Sequence, residues 1–121
     1  MTDLKAKRAA FRALHEQGCF VLPNPWDIGG VRRLEKLGFA ALASTSAGMA
    51  WALGLEDGEV ALDDVLSHLR LLCGSTDLPL NADFEAGFAD DPKEVAANVR
   101  LERIVSRGHA SHQPKSNCVQ A

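Results

Sequence analysis

The chain has 121 residues, of which 46% are hydrophobic and 24% are charged. This length and composition predict one globular domain and exclude the disordered and fibrous classes of protein. The formal net charge is -3, and acids and bases are intermixed along the chain. No basic face therefore predicts a nucleic-acid partner or an anionic membrane surface.

The cysteines and the N-terminus both indicate a cytoplasmic protein. Cys19, Cys73 and Cys118 are odd in number and lack CxxC spacing, which argues against a disulfide framework or a zinc site. Residues 1–17 alternate charged and apolar side chains and contain no unbroken apolar core. Neither a signal peptide nor a membrane span is predicted, so we expect a cytoplasmic protein.

Helical and strand patterns alternate along the chain. Apolar spacing predicts helices over residues 3–17, 27–38, 62–74 and 91–104. Short apolar runs predict buried strands at Cys19–Leu22, Phe39–Ser44 and Leu78–Phe84. A loop is predicted at Thr45–Gly48, with a helical turn at Met49–Leu53. This order, a helix followed by three strand-helix units, predicts parallel strands with crossover helices, in either an open sheet or a (β/α)8 barrel.

Active groups of parallel α/β folds collect where strands end, which draws attention to Asp83 and Glu85 after the third predicted strand. Residues two apart in an extended strand project to the same side, so their carboxylates share one small volume. Carboxylates are ligands for Mg²⁺ or Mn²⁺. The alternative is a pair of loop or capping acids. Asp57 is either a third acid of this site or a turn residue.

A second candidate site follows the second predicted strand. The hydroxyl of Ser46 and the backbone N–H groups of Ala47 and Gly48 form a pattern suited to a carboxylate or phosphate, although a solvated turn fits equally well. Asp27 is interpreted as a helix N-cap and Trp26 as a packing residue.

Residues 107–121 have neither an apolar period nor a strand pattern, so we predict an irregular, disordered tail after a domain at residues 1–106. His109 and His112 have metal-ligand spacing there, but they lack an acid or cysteine partner. We do not expect a metal at these histidines.

Four motifs together resemble the isocitrate lyase and phosphoenolpyruvate mutase superfamily, in its 2-methylisocitrate lyase-like or phosphonomutase-like branch. The resemblance covers about residues 11–102, and its motifs are Leu22–Asp27, Gly38–Gly48, Gly54–Gly58 and Leu80–Phe88. It implies the N-terminal part of a (β/α)8 barrel that binds Mg²⁺ and a 2-oxo acid, and that cleaves or forms the C–C or P–C bond beside the oxo group.

The resemblance also implies roles for residues of this chain. Asp83 and Glu85 would hold the metal, directly or through water, and Asp57 would support them. Ser46, Ala47 and Gly48 would bind the carboxylate of a small substrate.

The chain departs from this family in length and in its final residues. A barrel of this type needs about 250 residues, and the family's catalytic loop has no counterpart after Glu102. We therefore expect no complete catalytic set and a truncated chain that is inactive alone. The alternative function is a non-catalytic barrel fragment that self-associates into a homo-oligomer through unpaired strand edges.

Overall fold

The computed structural model describes residues 4–105 and 118–119 of the chain, and within these ranges it contains five helices and three short strands. The helices are α1 Leu4–Ala13, α2 Ile28–Lys36, α3 Ser46–Ala52, α4 Leu62–Gly74 and α5 Pro92–Val105. The strands are β1 Leu42–Ala43, β2 Leu80–Asn81 and β3 Cys118–Val119. None of the helices in these ranges is long and apolar enough to cross a bilayer.

The three strands form one parallel sheet in the order β1-β2-β3. Leu42 is in register with Leu80, and Leu80 with Cys118. Helices α3 and α4 connect β1 to β2. The predicted mixture of parallel strands and crossover helices is therefore confirmed.

The first predicted strand is not regular. Residues 19–26 do not form a strand, and the Ala43 N–H of β1 donates a hydrogen bond to the Pro23 carbonyl at 3.0 Å. Pro23 and Pro25 have no N–H to donate, so the segment cannot continue a hydrogen-bonded ladder beside β1. The strand prediction at Cys19–Leu22 is wrong: the run forms no strand, and its Cys19 and Val21 side chains are exposed rather than buried.

The loop predicted at Thr45–Gly48 is mostly helical. Thr45 has an extended backbone, with φ -138° and ψ 119°, and its hydroxyl accepts a hydrogen bond from the Gly48 N–H at 3.1 Å. This is N-cap geometry, which satisfies one of the unpaired N–H groups of a first helical turn. Ser46 therefore begins α3 rather than continuing a loop.

Acidic side chains also cap α2 and α5, and the cap of α2 at Asp27 confirms the sequence prediction. Asp27 accepts from the Gly30 N–H at the start of α2. Asp91 accepts from the Lys93 N–H at 3.1 Å, beside Pro92 at the first position of α5. The acids at these two positions therefore have structural roles.

The core lies between the strands and α4. Leu42 and Leu80 are completely buried, and they belong to one cluster with Leu69 and Leu72. Burying each such side chain contributes about 1.5–3 kcal/mol. Cys73 lies in the same cluster and is disulfide-bonded, which the number and spacing of the cysteines did not predict.

Most of the predicted disordered tail, including His109 and His112, lies outside the described residues. The two tail residues that the structure describes, Cys118 and Val119, pair with β2 as a parallel strand. The backbone at these two positions is therefore regular, whereas the sequence predicted an irregular segment.

Gly87 offers a test of the packing between the loop after β2 and α5. Its φ is +82°, and an added Cβ would lie 2.6 Å from Val95 Cγ1. We expect Gly87→Ala to lower the free energy of unfolding by about 2–4 kcal/mol, combining a left-handed backbone with a steric clash.

The matched control is Gly18→Ala, because Gly18 has φ +68° with no atom within 4 Å of the added Cβ. This variant incurs only the backbone cost, about 1–2 kcal/mol. Urea denaturation measures both. Equal losses in the two variants would contradict the role assigned to the Val95 contact.

Candidate functional site

The carboxyl ends of β1 and β2 are joined by hydrogen bonds that extend past the strands. The Ser44 N–H donates to the Asn81 carbonyl at 2.9 Å, and the Asp83 N–H donates to Ser44 Oγ at 2.8 Å. The Ser46 N–H then donates to Asp83 Oδ2 at 3.1 Å. These bonds bring two candidate motifs, far apart in sequence, into direct contact.

Asp83 is oriented through both of its carboxylate oxygens. Oδ2 accepts from the Ser46 N–H, and Oδ1 accepts from the Glu85 N–H at 3.3 Å. The side chain is nevertheless exposed. A carboxylate has about four acceptor positions, so the two bonds leave capacity for a cation or another donor.

Glu85 is held next to two other acids. It is a non-glycine residue with φ +48°, a conformation that strains its backbone. Burial is the main reason that its pKa is raised, and the charges of Asp57 and Asp83 raise it further. The structure therefore brings these three acids close enough for their charges to interact.

The donor types and the excess negative charge fit a hard divalent cation. Even so, residues 4–105 and 118–119 contain no group of three or more His, Cys, Asp or Glu side chains arranged to hold a metal ion. Asp83, Glu85 and Asp57 are thus near neighbours without forming a closed set of ligands.

A small cavity of about 10 Å³ lies beneath Asp83 and Glu85, against α4. This volume holds about one water-sized species. Its lining is mixed: Ser44, His68 and the residues at the start of α3 are polar, and Met49, Val60, Val65 and Leu69 are apolar. A 2-oxo acid does not fit in this space, so a substrate would have to lie outside it.

His68 of α4 was not predicted as a site residue, and its side chain is half-buried. Burial lowers its pKa, and the charge of Asp27 opposes that effect. Its buried Nε2 has no hydrogen-bond partner among the described residues. The sequence pattern around His68 indicates only a helix, and it does not indicate that this side chain lies at the small cavity.

The predicted anion site at Ser46, Ala47 and Gly48 coincides with the first turn of α3. The Ser46 N–H is bonded to Asp83, and the Gly48 N–H is bonded to Thr45 Oγ1. Two of the backbone donors that could bind an anion are therefore engaged within the chain. The Ser46 hydroxyl and the Ala47 N–H are the donors left for the predicted role.

A larger groove lies on the other side of α3, and we call it the Trp groove. It has a volume of about 480 Å³. Trp26 was predicted to pack, yet it is 52% exposed, and Trp51 is 69% exposed. The residues that line the Trp groove and carry the later argument are Asn24, Trp26, Thr45, Ala47, Gly48 and Trp51.

Comparison with known proteins identifies a family. The model of the phosphoenolpyruvate phosphomutase family matches residues 11–110. The uncharacterized protein Rv1998c of Mycobacterium tuberculosis is 33% identical over 88 residues, which are 72% of this chain and 34% of that protein. The chain thus spans about a third of the length of this relative.

Solved structures agree with this assignment. A candidate lyase/mutase of Burkholderia cenocepacia J2315 is 47% identical with a TM-score of 0.80, over 85% of this chain and 38% of that one. A 2,3-dimethylmalate lyase, a member of the PEP mutase/isocitrate lyase superfamily, is 26% identical with a TM-score of 0.71. That match covers 87% of this chain and 38% of the lyase.

The crowding of acids around Glu85 predicts a pH-dependent stability. A carboxyl whose pKa is raised in the folded state favours folding at low pH, and this contribution is lost as pH rises through the folded pKa. Glu85→Gln removes the ionised form. We therefore expect the variant to be more stable than the natural chain at about pH 7, with the difference shrinking toward about pH 4.

Urea denaturation at several pH values, without added metal, measures this difference. The exposed Glu16, which belongs to none of the site contacts, provides the control substitution Glu16→Gln. A Glu85→Gln variant that is less stable than the natural chain at neutral pH would contradict the proposed repulsion.

Proposed function

Because this chain belongs to the phosphoenolpyruvate phosphomutase family, we propose that it is a Mg²⁺- or Mn²⁺-dependent lyase or mutase. It would act on the C–C or P–C bond beside the oxo group of a small 2-oxo acid. Enzymes of this superfamily act on C–C or P–C bonds. The name of the 2,3-dimethylmalate lyase supports a small carboxylic acid as the substrate.

The observation that carries the proposal is the orientation of Asp83 by two backbone donors at the end of β2. Asp83 would bind the cation with Glu85, directly or through water, and Asp57 would add negative charge nearby. When bound, the cation supplies a positive charge that stabilises an enolate oxygen. The raised pKa of Glu85 supports this role, since a cation would relieve the repulsion among the acids.

The first turn of α3 would bind the substrate carboxylate. Ser46 is tied to Asp83 through its own N–H, so its position relative to the acids is fixed. Its hydroxyl and the Ala47 N–H would orient the carboxylate beside the cation site. No side chain in residues 4–105 is assigned here as the general acid, so the proposed roles are binding and orientation.

Metal and oxalate binding test the role of Asp83. With Mg²⁺ and oxalate at about a hundred times their Kd, we expect a stabilisation of about 2.7 kcal/mol. Asp83→Asn keeps the side-chain shape and an acceptor oxygen but removes the charge, so most of this stabilisation should be lost. Thermal unfolding with and without the ligands measures the effect.

The matched control is Asp90→Asn, an exposed acid in the same connection between β2 and α5. This variant should respond to Mg²⁺ and oxalate like the natural chain. Equal responses of Asp83→Asn and Asp90→Asn would argue against metal binding at Asp83.

A second candidate function is self-association of a non-catalytic chain. The observation that favours it is the irregular segment beside β1, where Val21 is 68% exposed and the prolines interrupt the edge. Unpaired edges and exposed apolar side chains provide a surface for a second copy.

Size-exclusion chromatography over a range of concentrations tests this second candidate. We expect Val21→Lys to shift an oligomer toward the monomer, because a charged side chain opposes edge-to-edge pairing. Leu37→Lys is the control, since Leu37 is similarly exposed at 66% but lies at the end of α2. A natural chain that elutes as a monomer at every concentration would exclude this function.

A further inference from the structure

We propose that the Trp groove binds an apolar substituent of the substrate, an alkyl or aromatic group at the end remote from its carboxylate. This inference rests on the proposed function and narrows its substrate class. Trp26 and Trp51 would form the walls of this second subsite.

The Trp groove shares two residues with the proposed carboxylate site. Ala47 and Gly48 line it, and both belong to the first turn of α3, which is proposed to hold the carboxylate. A ligand anchored beside Ser46 could therefore extend into the groove along α3. The small cavity on the opposite side, at about 10 Å³, has no room for such a group.

The size and lining of the groove select an apolar ligand. Its volume of about 480 Å³ lies in the range of small-molecule sites, about 300–1,000 Å³. No charged side chain lines it. Two indole rings provide large apolar surfaces at a low cost in conformational entropy.

The polar side chains in the groove already have backbone partners. Asn24 Nδ2 donates to the carbonyls of Leu22 at 3.4 Å and Ala43 at 3.5 Å. Thr45 Oγ1 accepts from the Gly48 N–H at 3.1 Å. These bonds engage the Asn24 amide nitrogen and one acceptor position of the Thr45 hydroxyl, which reduces the polar capacity that the groove offers to a ligand.

The base of Trp26 lies close to α3. A Cβ on Gly48 would lie 2.6 Å from Thr45 Cγ2 and 3.2 Å from Trp26 Cβ. The base of Trp26 thus packs directly against α3, the helix that also carries Trp51. A subsite positioned before binding loses less entropy when a ligand enters.

The test compares pyruvate with 2-oxohexanoate, which has the same carboxylate and oxo group and a longer alkyl chain. Calorimetric titration of the full chain with Mg²⁺ should give about tenfold tighter binding of 2-oxohexanoate, from partial burial of the added CH₂ groups. Trp26 and Trp51 are the two tryptophans of a chain without tyrosine. Their emission should shift to the blue with 2-oxohexanoate more than with pyruvate.

Trp51→Ala should abolish the preference for 2-oxohexanoate while retaining pyruvate binding. Its exposed side chain makes little contribution to the core, and circular dichroism verifies the fold. Leu71→Ala, which truncates an exposed leucine on α4, is the control that should keep the preference.

Three results would overturn the proposal. Equal affinities for the two acids reject the apolar subsite while leaving the proposed function in place. No binding of pyruvate, 2-oxohexanoate or oxalate rejects both. A blue shift that depends on protein concentration without ligand, together with oligomerisation, assigns the Trp groove to a second copy of the chain.

Discussion

The hydrogen bonds joining the carboxyl ends of β1 and β2 are the constraint on which the site depends. Ser44 Oγ accepts a hydrogen bond from the Asp83 N–H, and Asp83 Oδ2 accepts one from the Ser46 N–H. The strand pairing and the start of α3 are thereby fixed together. A register shift of one residue would turn every side chain of the strand to the opposite face, so the same pairing that buries Leu42 and Leu80 also determines where the acids lie.

This arrangement concentrates like charges before any cation is considered. Backbone donors hold Asp83 in position, while the Glu85 carboxyl has a raised pKa through burial and its acidic neighbours. The positive φ of Glu85 adds local strain. A proton or a divalent cation would each reduce the repulsion, so the proposed metal binding at these acids would be thermodynamically linked to proton binding.

Local signals predicted the helices better than the edges of the sheet. The bounds of α4 follow from its apolar repeat, Asp27 caps α2 as predicted, and α5 begins after Asp91 as predicted. The predictions were wrong where the same local sequence pattern is compatible with two different structures. Thr45 could begin a turn or a helix, and the apolar run before Pro23 could be a strand or an irregular segment.

Other parts of the site depend on contacts that no local pattern encodes. Asp57 and Glu85 interact although they belong to connections on opposite sides of α4 in the sequence. His68 reaches the small cavity only because α4 packs behind the two strands. The sequence and its resemblance could select the acids, whereas their mutual positions required the complete path of the chain between them.

Helix α3 lies between the small cavity beside the acids and the apolar Trp groove. Ser46 and Met49 line the small cavity beside the acids, while Gly48 and Trp51 line the Trp groove. An isolated helix of seven residues is unstable in water, so α3 depends on the Thr45 cap and on tertiary packing. The separation between the polar and apolar sides is therefore fixed by the contacts that make α3 helical. A substitution that destabilises α3 would therefore disturb both of these sides.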